Sequence, residues 1–220
     1  MISVFWKSLT DLEDPTIRRM LAISVAAAVV IFALLLGAVV WALSSAVLTA
    51  VPWMDAVIDV LGGLTAVMLA WLLFPGTVSA FLGLFLDTVA TAVERRDYPG
   101  LPPARPTPVL TAVLDGLRLL GLTIGLNLLV LPLYLVPVIN LGVFAALNGY
   151  LLSREYFELA ALRRMPKAEA VALRREYRLR LWATGMALAG LLVIPGINLL
   201  APIIGVAVMV HMVQRLRPAA

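Results

Sequence analysis

The distribution of charge along the chain is the feature that most limits how it can fold. No Asp, Glu, Lys or Arg occurs between Arg19 and Asp55, between Arg118 and Arg154, or between Leu181 and Gln214. Each stretch exceeds the roughly 20 apolar residues with which a helix crosses a bilayer. Hydrophobic residues make up 62% of the chain and charged residues 14%, against about 45–50% and about 25% in soluble domains. The sequence therefore predicts one all-α integral membrane domain spanning residues 1–220.

The first half of the chain predicts two long transmembrane helices preceded by a short one. Apolar residues recur at helical spacing in residues 1–14, opposite charged ones, which is typical of an amphipathic helix lying in the membrane interface. The two long helices are predicted over 16–51 and 54–96, with a turn at Val51-Pro52-Trp53. Phe74-Pro75-Gly76 predicts a kink in the second long helix. Residues 97–108 are a Pro-rich linker.

The positions of the basic residues predict whether the second half of the chain crosses the membrane once or returns. All seventeen lie in four segments. If 119–153 crossed once, the eight basic residues of 154–180 would face away from those of the linker, against the positive-inside rule. If it enters and returns, every basic residue lies on one side and the opposite loop at 52–59 has none. We therefore predict that both termini and all the basic segments are cytoplasmic.

The length of each charge-free run predicts how deep the returning segments reach. Two full spans need about 40 residues plus a turn, and each run has about 35. The sequence therefore predicts two re-entrant or partly spanning helical hairpins, over 109–165 and 181–217. An amphipathic, basic helix over 167–180 joins them on the surface of anionic lipid.

A repeated motif marks the two hairpin tips. "VPVINL" and "IPGINL" place Pro137 and Asn140 in the first hairpin, and Pro195 and Asn198 in the second. We expect each Pro to start the second helix of its hairpin, and each Asn to satisfy backbone groups that lipid cannot satisfy. These four residues either form simple turns or line an anion pathway, as broken helices do in many transporters.

Two other groups of charged residues also have two interpretations. The first group consists of Asp87, Glu94, Asp115 and Arg118. These residues either form internal ion pairs or a proton-linked site, or they lie at the membrane interface on the basic side. The second group is a lipid-facing surface or a funnel for substrate; it consists of Arg174, Arg175, Arg178 and Arg180.

The residue types that most catalytic and metal sites require are scarce. The chain has no Cys and a single His, His211, which is better explained as a packed or interfacial residue than as a ligand. It also lacks Gly-x-Ser-x-Gly, His-Glu-x-x-His, phosphate-loop and dinucleotide motifs. We therefore predict that the protein is not an enzyme and has no catalytic residue, metal site or cofactor. Because the basic residues follow membrane topology, no nucleic-acid partner is predicted.

Five segments together resemble the CysZ-like sulfate-permease family, also called the etoposide-induced-protein-like family. They are "DPTIRR", "FPGTVSAFLGLFLDTVATAVERRDYP", "LPLYLVPVINL", "NGYLLSREYFELAALRR" and "IPGINLLAPIIGVA". The resemblance implies two long transmembrane helices, two partly penetrating hairpins and amphipathic helices. It also implies sulfate uptake for cysteine synthesis in bacteria, with a sulfate site at an arginine pair that Arg18 and Arg19 match.

Arg18 and Arg19 also have a physical basis as an anion site. Unpaired N–H groups and the dipole at a helix N-terminus favour anions, and a guanidinium offers forked donors. The alternative is a pair of membrane-surface anchors. The preceding Asp11, Glu13 and Asp14 lower the local concentration of anions.

Two functional hypotheses follow. The first is a bacterial inner-membrane, multi-pass permease for sulfate or a related oxyanion, acting as a channel or ion-coupled carrier that supplies sulfate for assimilation. The alternative is a membrane-structural or scaffold protein whose wedge-like hairpins shape lipid or hold partners. The expected partners are the oxyanion, membrane lipids and further copies of the chain, because partly spanning hairpins shield their backbone poorly.

Overall fold

All the regular structure that the computed structural model describes, in residues 2–45, 52–105 and 109–217, is helical. The α-helices in chain order are α1 Ile2–Asp11, α2 Pro15–Ser45, α3 Pro52–Gly83, α4 Leu86–Asp97, α5 Val109–Tyr134, α6 Pro137–Leu162, α7 Lys167–Glu176, α8 Arg178–Leu192 and α9 Ala201–Leu216. A short 3-10 turn, Ile197–Leu199, precedes α9.

Three apolar stretches are long enough to cross a membrane. They are Pro15–Ala42, Trp53–Phe74 and Leu114–Tyr134, with 28, 22 and 21 residues. The chain itself buries few residues of these stretches; Trp71, for example, is 84% exposed. Helices that are apolar on all sides and uncovered by protein are stable in lipid and not in water. The protein is therefore an all-α integral membrane protein, as the sequence predicts.

The described residues form two compact units. One contains the residues up to Ile17 together with those from Leu86 onward, and the other is Arg18–Phe85. Within the second unit the rings of Phe32 and Phe74 lie 5.9 Å apart, joining α2 to α3. The predicted C-terminal end of the first long helix, at residue 51, lies outside the described residues.

The second predicted long helix, 54–96, is two helices in the structure. The chain leaves helical geometry at Leu84 and Phe85, between α3 and α4, where the Phe85 N–H donates to the Leu82 carbonyl at 2.8 Å. By contrast α3 continues through Pro75 and Gly76. Proline is tolerated within transmembrane helices because local adjustments and neighbouring groups satisfy the freed carbonyls.

The core of the first unit is α9. Every residue from Ala201 to Val213 is buried, and α9 packs against α1, α4, α6 and α8. A helix that is apolar on all sides is expected in a protein interior when it is too short to cross a bilayer. The second predicted hairpin therefore supplies the central helix of this unit.

The N-terminal helix packs with its small and polar side inward. α1 buries Val4, Ser8 and Asp11 and leaves Trp6 and Leu9 exposed. The Ser8 hydroxyl donates to the Val4 carbonyl at 2.9 Å, so its burial leaves no polar atom unsatisfied. The exposed apolar side of α1 agrees with the predicted interfacial helix over residues 1–14.

The first hairpin turns where the sequence predicts. α5 ends at Tyr134 and Pro137 is the first residue of α6. At the opposite end, the Arg105 N–H donates to the Arg163 carbonyl at 3.0 Å and Lys167 pairs with Asp115. The segments before α5 and after α6 therefore lie together.

The first limb of the first hairpin is longer than the charge-free run predicts. The apolar stretch Leu114–Tyr134 of α5 is long enough to span, because the helix continues through Asp115 and Arg118. The sequence predicts partial depth for this hairpin because the charge-free run begins only at Leu119. The apolar stretch of α5 begins at Leu114 and is long enough for a full crossing.

The second hairpin has a wider turn than predicted. Pro195 does not start a helix; it lies in the turn after α8, and α9 begins at Ala201 with Pro202 in its first turn. Gly196 has φ of 83°, a left-handed conformation that glycine adopts without steric cost. Arg180 and Arg215 line one cavity of about 370 Å³, so this hairpin also returns to its starting end.

The two limbs of the second hairpin are short. α8 has 15 residues and α9 has 16. At 1.5 Å per residue they are about 23–24 Å long, less than the roughly 30 Å of bilayer hydrocarbon. These lengths agree with a partly spanning hairpin, whose depth stays a prediction.

A close helix contact in the first unit joins α6 to α8 through two glycines. A Cβ added to Gly185 would lie 1.9 Å from the Gly149 carbonyl oxygen and 2.8 Å from the Ser153 Cβ. The Trp182 indole N–H donates to the Ala146 carbonyl at 2.9 Å beside this contact. The hydrogen bond forms because the glycines allow the backbones to approach.

This contact predicts a specific loss of stability. Gly185→Ala should destabilise the protein by about 1–3 kcal/mol, because the methyl group must push two backbones apart. Gly190→Ala is the matched control in the same helix, since no atom lies within 4 Å of its added Cβ; it should leave stability unchanged or raise it by up to about 1 kcal/mol. Thermal unfolding in detergent measures both, and equal midpoints for the two variants would disprove the close contact.

Candidate functional site

Arg18 and Arg19 lie in the first two turns of α2 and both are exposed. α2 begins with Pro15, whose fixed φ suits the first position of a helix and whose missing N–H is not needed there. Neither arginine takes part in an ion pair or hydrogen bond within the described chain. Both guanidinium groups are therefore free to contact a dissolved anion or a lipid head group.

The start of α2 already carries a carboxylate. The Thr16 N–H donates to Asp14 Oδ1 at 2.7 Å, so Asp14 caps the helix. The cap occupies one of the N–H groups that would otherwise bind an anion. Of the other two acidic residues, Glu13 is exposed and Asp11 is held by His211, 2.9 Å away.

The hairpin-tip asparagines do not cap their turns as the sequence predicts. Backbone groups close both turns: the N–H of Asn140 donates to the Val136 carbonyl, and that of Asn198 donates to the Ile194 carbonyl, each at 3.0 Å. The Asn140 side chain is exposed. The Asn198 Oδ1 is buried without a hydrogen-bond partner. Short backbone bonds within the turn remove the need for a side-chain acceptor or donor.

The most extensive charged cluster joins α4 to the end of α6. Arg163 donates to Glu94 Oε2 at 2.9 Å and to the Thr91 hydroxyl at 2.7 Å, and it pairs with Asp87. Arg164 donates to Glu94 Oε1 at 2.7 Å. Only 4% of Glu94 and 6% of Arg163 is exposed. Two guanidinium groups thus hold both oxygens of one buried carboxylate.

The same two arginines hold the linker. Arg164 also donates to the Pro102 carbonyl, and the Arg163 carbonyl accepts the Arg105 N–H. Burial opposes the charged form of Glu94, but hydrogen bonds from Arg164 and Arg163, together with their positive charges, outweigh it and lower the pKa of Glu94 below its usual value. The cluster is therefore charged at neutral pH and fixes the linker to the helical core.

A second buried cluster surrounds the single histidine. His211 Nε2 lies 2.9 Å from Asp11 Oδ2 and 3.4 Å from Asp97 Oδ2, and its Nδ1 lies 2.9 Å from the Tyr98 hydroxyl. The Lys7 ammonium lies 3.2 Å from Asp97. These contacts join α1, α4 and α9.

The atoms of this second cluster could also hold a metal ion. One ligand atom each from Asp11, Asp97 and His211 lies within 4.8 Å of the others. However, Lys7 already supplies a cation beside Asp97. The cluster is therefore best described as an internal polar joint that attaches the N-terminal helix.

The structure shows ion pairs for three of the four charged residues near the linker. Asp87, Glu94 and Asp115 each pair with a basic residue, but only Glu94 is buried. Their position at the basic-side interface stays a prediction. Arg118 is exposed. The sequence does not identify Arg163 and Arg164 as the partners of Asp87 and Glu94, because a pair of arginines on a basic segment has no distinguishing pattern.

The family model described as "Sulfate transporter CysZ/Etoposide-induced protein 2.4" matches residues 4–202. The chain belongs to this family. The match runs from α1 to the first turn of α9 and so includes both hairpin turns. No curated protein matches the chain. The CysZ/etoposide-induced-protein assignment agrees with the all-helical membrane architecture, and Arg18 and Arg19 lie within the matched region.

The Glu94 cluster makes a prediction about acid stability. Glu94→Gln should lower the free energy of unfolding by about 3–5 kcal/mol, because it leaves Arg164 without its charge partner and Arg163 with the exposed Asp87 alone. Since the folded pKa of Glu94 is lowered, its contribution is complete above the unfolded pKa of about 4.3 and is lost as the pH falls through the folded value.

Thermal unfolding in detergent between pH 8 and 3 tests this dependence. The difference between wild type and Glu94→Gln should be constant down to about pH 5 and shrink below about pH 4. Glu169→Gln is the matched control, because Glu169 is exposed, and it should behave as wild type. A difference that disappears near neutral pH would contradict the lowered pKa.

Proposed function

We propose that the protein is a permease for sulfate or a related oxyanion in a bacterial inner membrane, acting as a channel or an ion-coupled carrier. The observation that carries the proposal is the family match over residues 4–202, which covers nearly the whole chain. The three apolar stretches long enough to span a membrane agree with a transport protein. Sulfate assimilation is the metabolic use that this activity would serve.

Arg18 and Arg19 are proposed to bind the oxyanion. Their exposure and their lack of partners within the described chain support this role, as does their place near the N-terminus of α2. A tetrahedral oxyanion has several acceptor oxygens, and forked guanidinium donors can replace part of its hydration shell. The remaining free N–H groups of the first turn would add a partial positive charge.

The two hairpin turns are proposed to line the route of the anion. Pro137 and Asn140 lie at the first turn, and Pro195 and Asn198 at the second. The exposed Asn140 amide offers N–H donors without a partner among the described residues, and broken helices at membrane depth commonly form such routes.

The proposed assembly is a homo-oligomer in contact with lipid. Large apolar faces of α2, α3 and α5 are uncovered by the chain, and the short second hairpin would gain shielding from a second copy. The family assignment does not favour the scaffold alternative, and a measurement of transport separates the two.

The arginine pair predicts the effect of substitution on transport. Purified protein in liposomes should carry radiolabelled sulfate faster than protein-free liposomes. Arg18→Ala or Arg19→Ala should weaken sulfate binding by about one to two orders of magnitude, because each removes charge-assisted hydrogen bonds of about 1.5–3 kcal/mol. Lys at either position should restore only part of the binding, because it lacks the planar fork.

Arg118→Ala is the matched control for this experiment. Arg118 is also exposed and lies in an apolar helix, so its removal changes the net charge equally. Wild-type flux equal to that of empty liposomes would reject the permease function. Equal loss of flux in Arg18→Ala, Arg19→Ala and Arg118→Ala would reject the proposed binding site at Arg18 and Arg19 and leave the permease function standing.

The helix cap predicts a variant that binds the anion more tightly. Asp14→Asn retains a side-chain oxygen for the Thr16 N–H and removes the negative charge, and Asn is as good an N-cap as Asp. The affinity for sulfate should rise about two- to five-fold, the scale of one charge near a helix terminus. Calorimetric titration in detergent measures it, with the remote Glu169→Gln as the control. An unchanged or lower affinity in Asp14→Asn would place the anion away from this terminus.

A further inference from the structure

A cavity of about 330 Å³ is open to the surface where α6, α7 and α8 meet. Four arginines line it: Arg154 from α6, Arg174 and Arg175 from α7, and Arg178 from the first turn of α8. No acidic side chain lines this cavity. The concentration of positive charge is therefore a property of the cavity and not only of the basic segment that contains it.

Part of this positive charge is unneutralised. Glu158 lies 3.1 Å from the Arg154 Nε and 3.9 Å from Arg174. Arg175 and Arg178 are exposed and have no ion pair or hydrogen bond among the described residues. One carboxylate outside the cavity lining therefore contacts two of the four guanidinium groups, and the other two remain free for an anionic ligand.

The rest of the lining is apolar. Leu179, which is 69% exposed, and Trp182 lie on the same cavity. The Trp182 indole N–H is already bound to the Ala146 carbonyl, so the ring offers mainly apolar surface. A small inorganic anion gains nothing from this surface, whereas an amphiphile with an anionic head uses both parts.

The position along the chain agrees with an amphiphile. The cavity lies at the point where the basic segment ends and the charge-free run beginning at Leu181 starts. Basic side chains followed by Trp and Leu mark the boundary between the head groups and the hydrocarbon. A ligand bound here has its charged part in water and its apolar part in lipid.

We propose that this cavity binds one anionic phospholipid, with its phosphate on Arg175 and Arg178 and an acyl chain along Leu179 and Trp182. The site lies apart in sequence from Arg18 and Arg19 and does not depend on the proposed transport of oxyanions. The sequence indicates only that this basic segment faces lipid. The proposal is more specific, because it names one site that binds one lipid per chain.

The test titrates the purified full chain in detergent with phosphatidylglycerol, with phosphatidylcholine of the same acyl chains, and with inorganic phosphate. Thermal unfolding and native mass spectrometry report affinity and stoichiometry. Phosphatidylglycerol should bind with one molecule per chain and raise the unfolding midpoint, and the other two should not. Arg175→Gln with Arg178→Gln should weaken this binding about ten-fold or more.

Two matched variants complete the test. Arg118→Gln with Arg217→Gln removes the same charge from outside the cavity and should keep the wild-type affinity within about two-fold, as expected for distant rim charges. Leu179→Ser keeps the arginines and should still weaken binding of the lipid.

Three results would overturn the proposal. Equal weakening by the two double variants would indicate attraction by net charge alone. Inorganic phosphate binding as tightly as phosphatidylglycerol would indicate a site for a soluble anion. Unchanged lipid binding in both Leu179→Ser and the cavity double variant would place the lipid elsewhere.

Discussion

The cost of placing an unpaired charge in hydrocarbon is the constraint on which this structure depends. It explains why the seventeen basic residues fall into four segments separated by long charge-free runs. It also explains the returning hairpins, since each must bring its flanking charges back to the same face. The contacts of Arg105 with Arg163 and of Lys167 with Asp115 show this closure for the first hairpin. The cavity shared by Arg180 and Arg215 shows it for the second.

The buried Glu94 and Arg163 of the first unit are paired, and buried polar contacts hold separate elements together. Glu94 and its two arginines join α4, the linker and the end of α6. His211 and its carboxylates join α1 and α4 to the buried α9. Removing one partner of such a pair is costly because the other charge stays buried. Both clusters join helices that pack against α9.

The sequence predicted the parts of the fold that depend on length, periodicity and charge. The first hairpin turn at Pro137 and the helical class follow from these patterns. The break at Leu84 and Phe85 was not predictable, because no Pro or charge marks it. Pro75, where the sequence predicts a kink, lies within the continuous helix α3. The capping role expected for Asn140 and Asn198 was wrong, since backbone groups close both turns.

The candidate site was predictable to a smaller extent. Arg18 and Arg19 stand out because an arginine pair follows a helix start that has a cap and a Pro at its first position. Their role in binding stays a prediction, because the contacts that would define it are contacts with the anion. The partners of Glu94 and His211 come from segments that are 69 and 200 positions away in sequence. No local pattern specifies contacts between such distant segments, so only the folded structure reveals them.

The central claim is that each hairpin returns to the side of the membrane from which it starts. It is tested most directly by asking whether the two ends of the first hairpin lie on the same side. The chain has no Cys, so single cysteines at Asp59, Arg105 and Ala168, all exposed, can be labelled with a membrane-impermeant reagent in oriented vesicles. If the first hairpin returns, positions 105 and 168 should be labelled in equal fractions of the molecules. Position 59 should be labelled in the remaining fraction, whichever way the protein inserts. Complementary fractions at 105 and 168 would mean that the first hairpin crosses only once and would contradict the account.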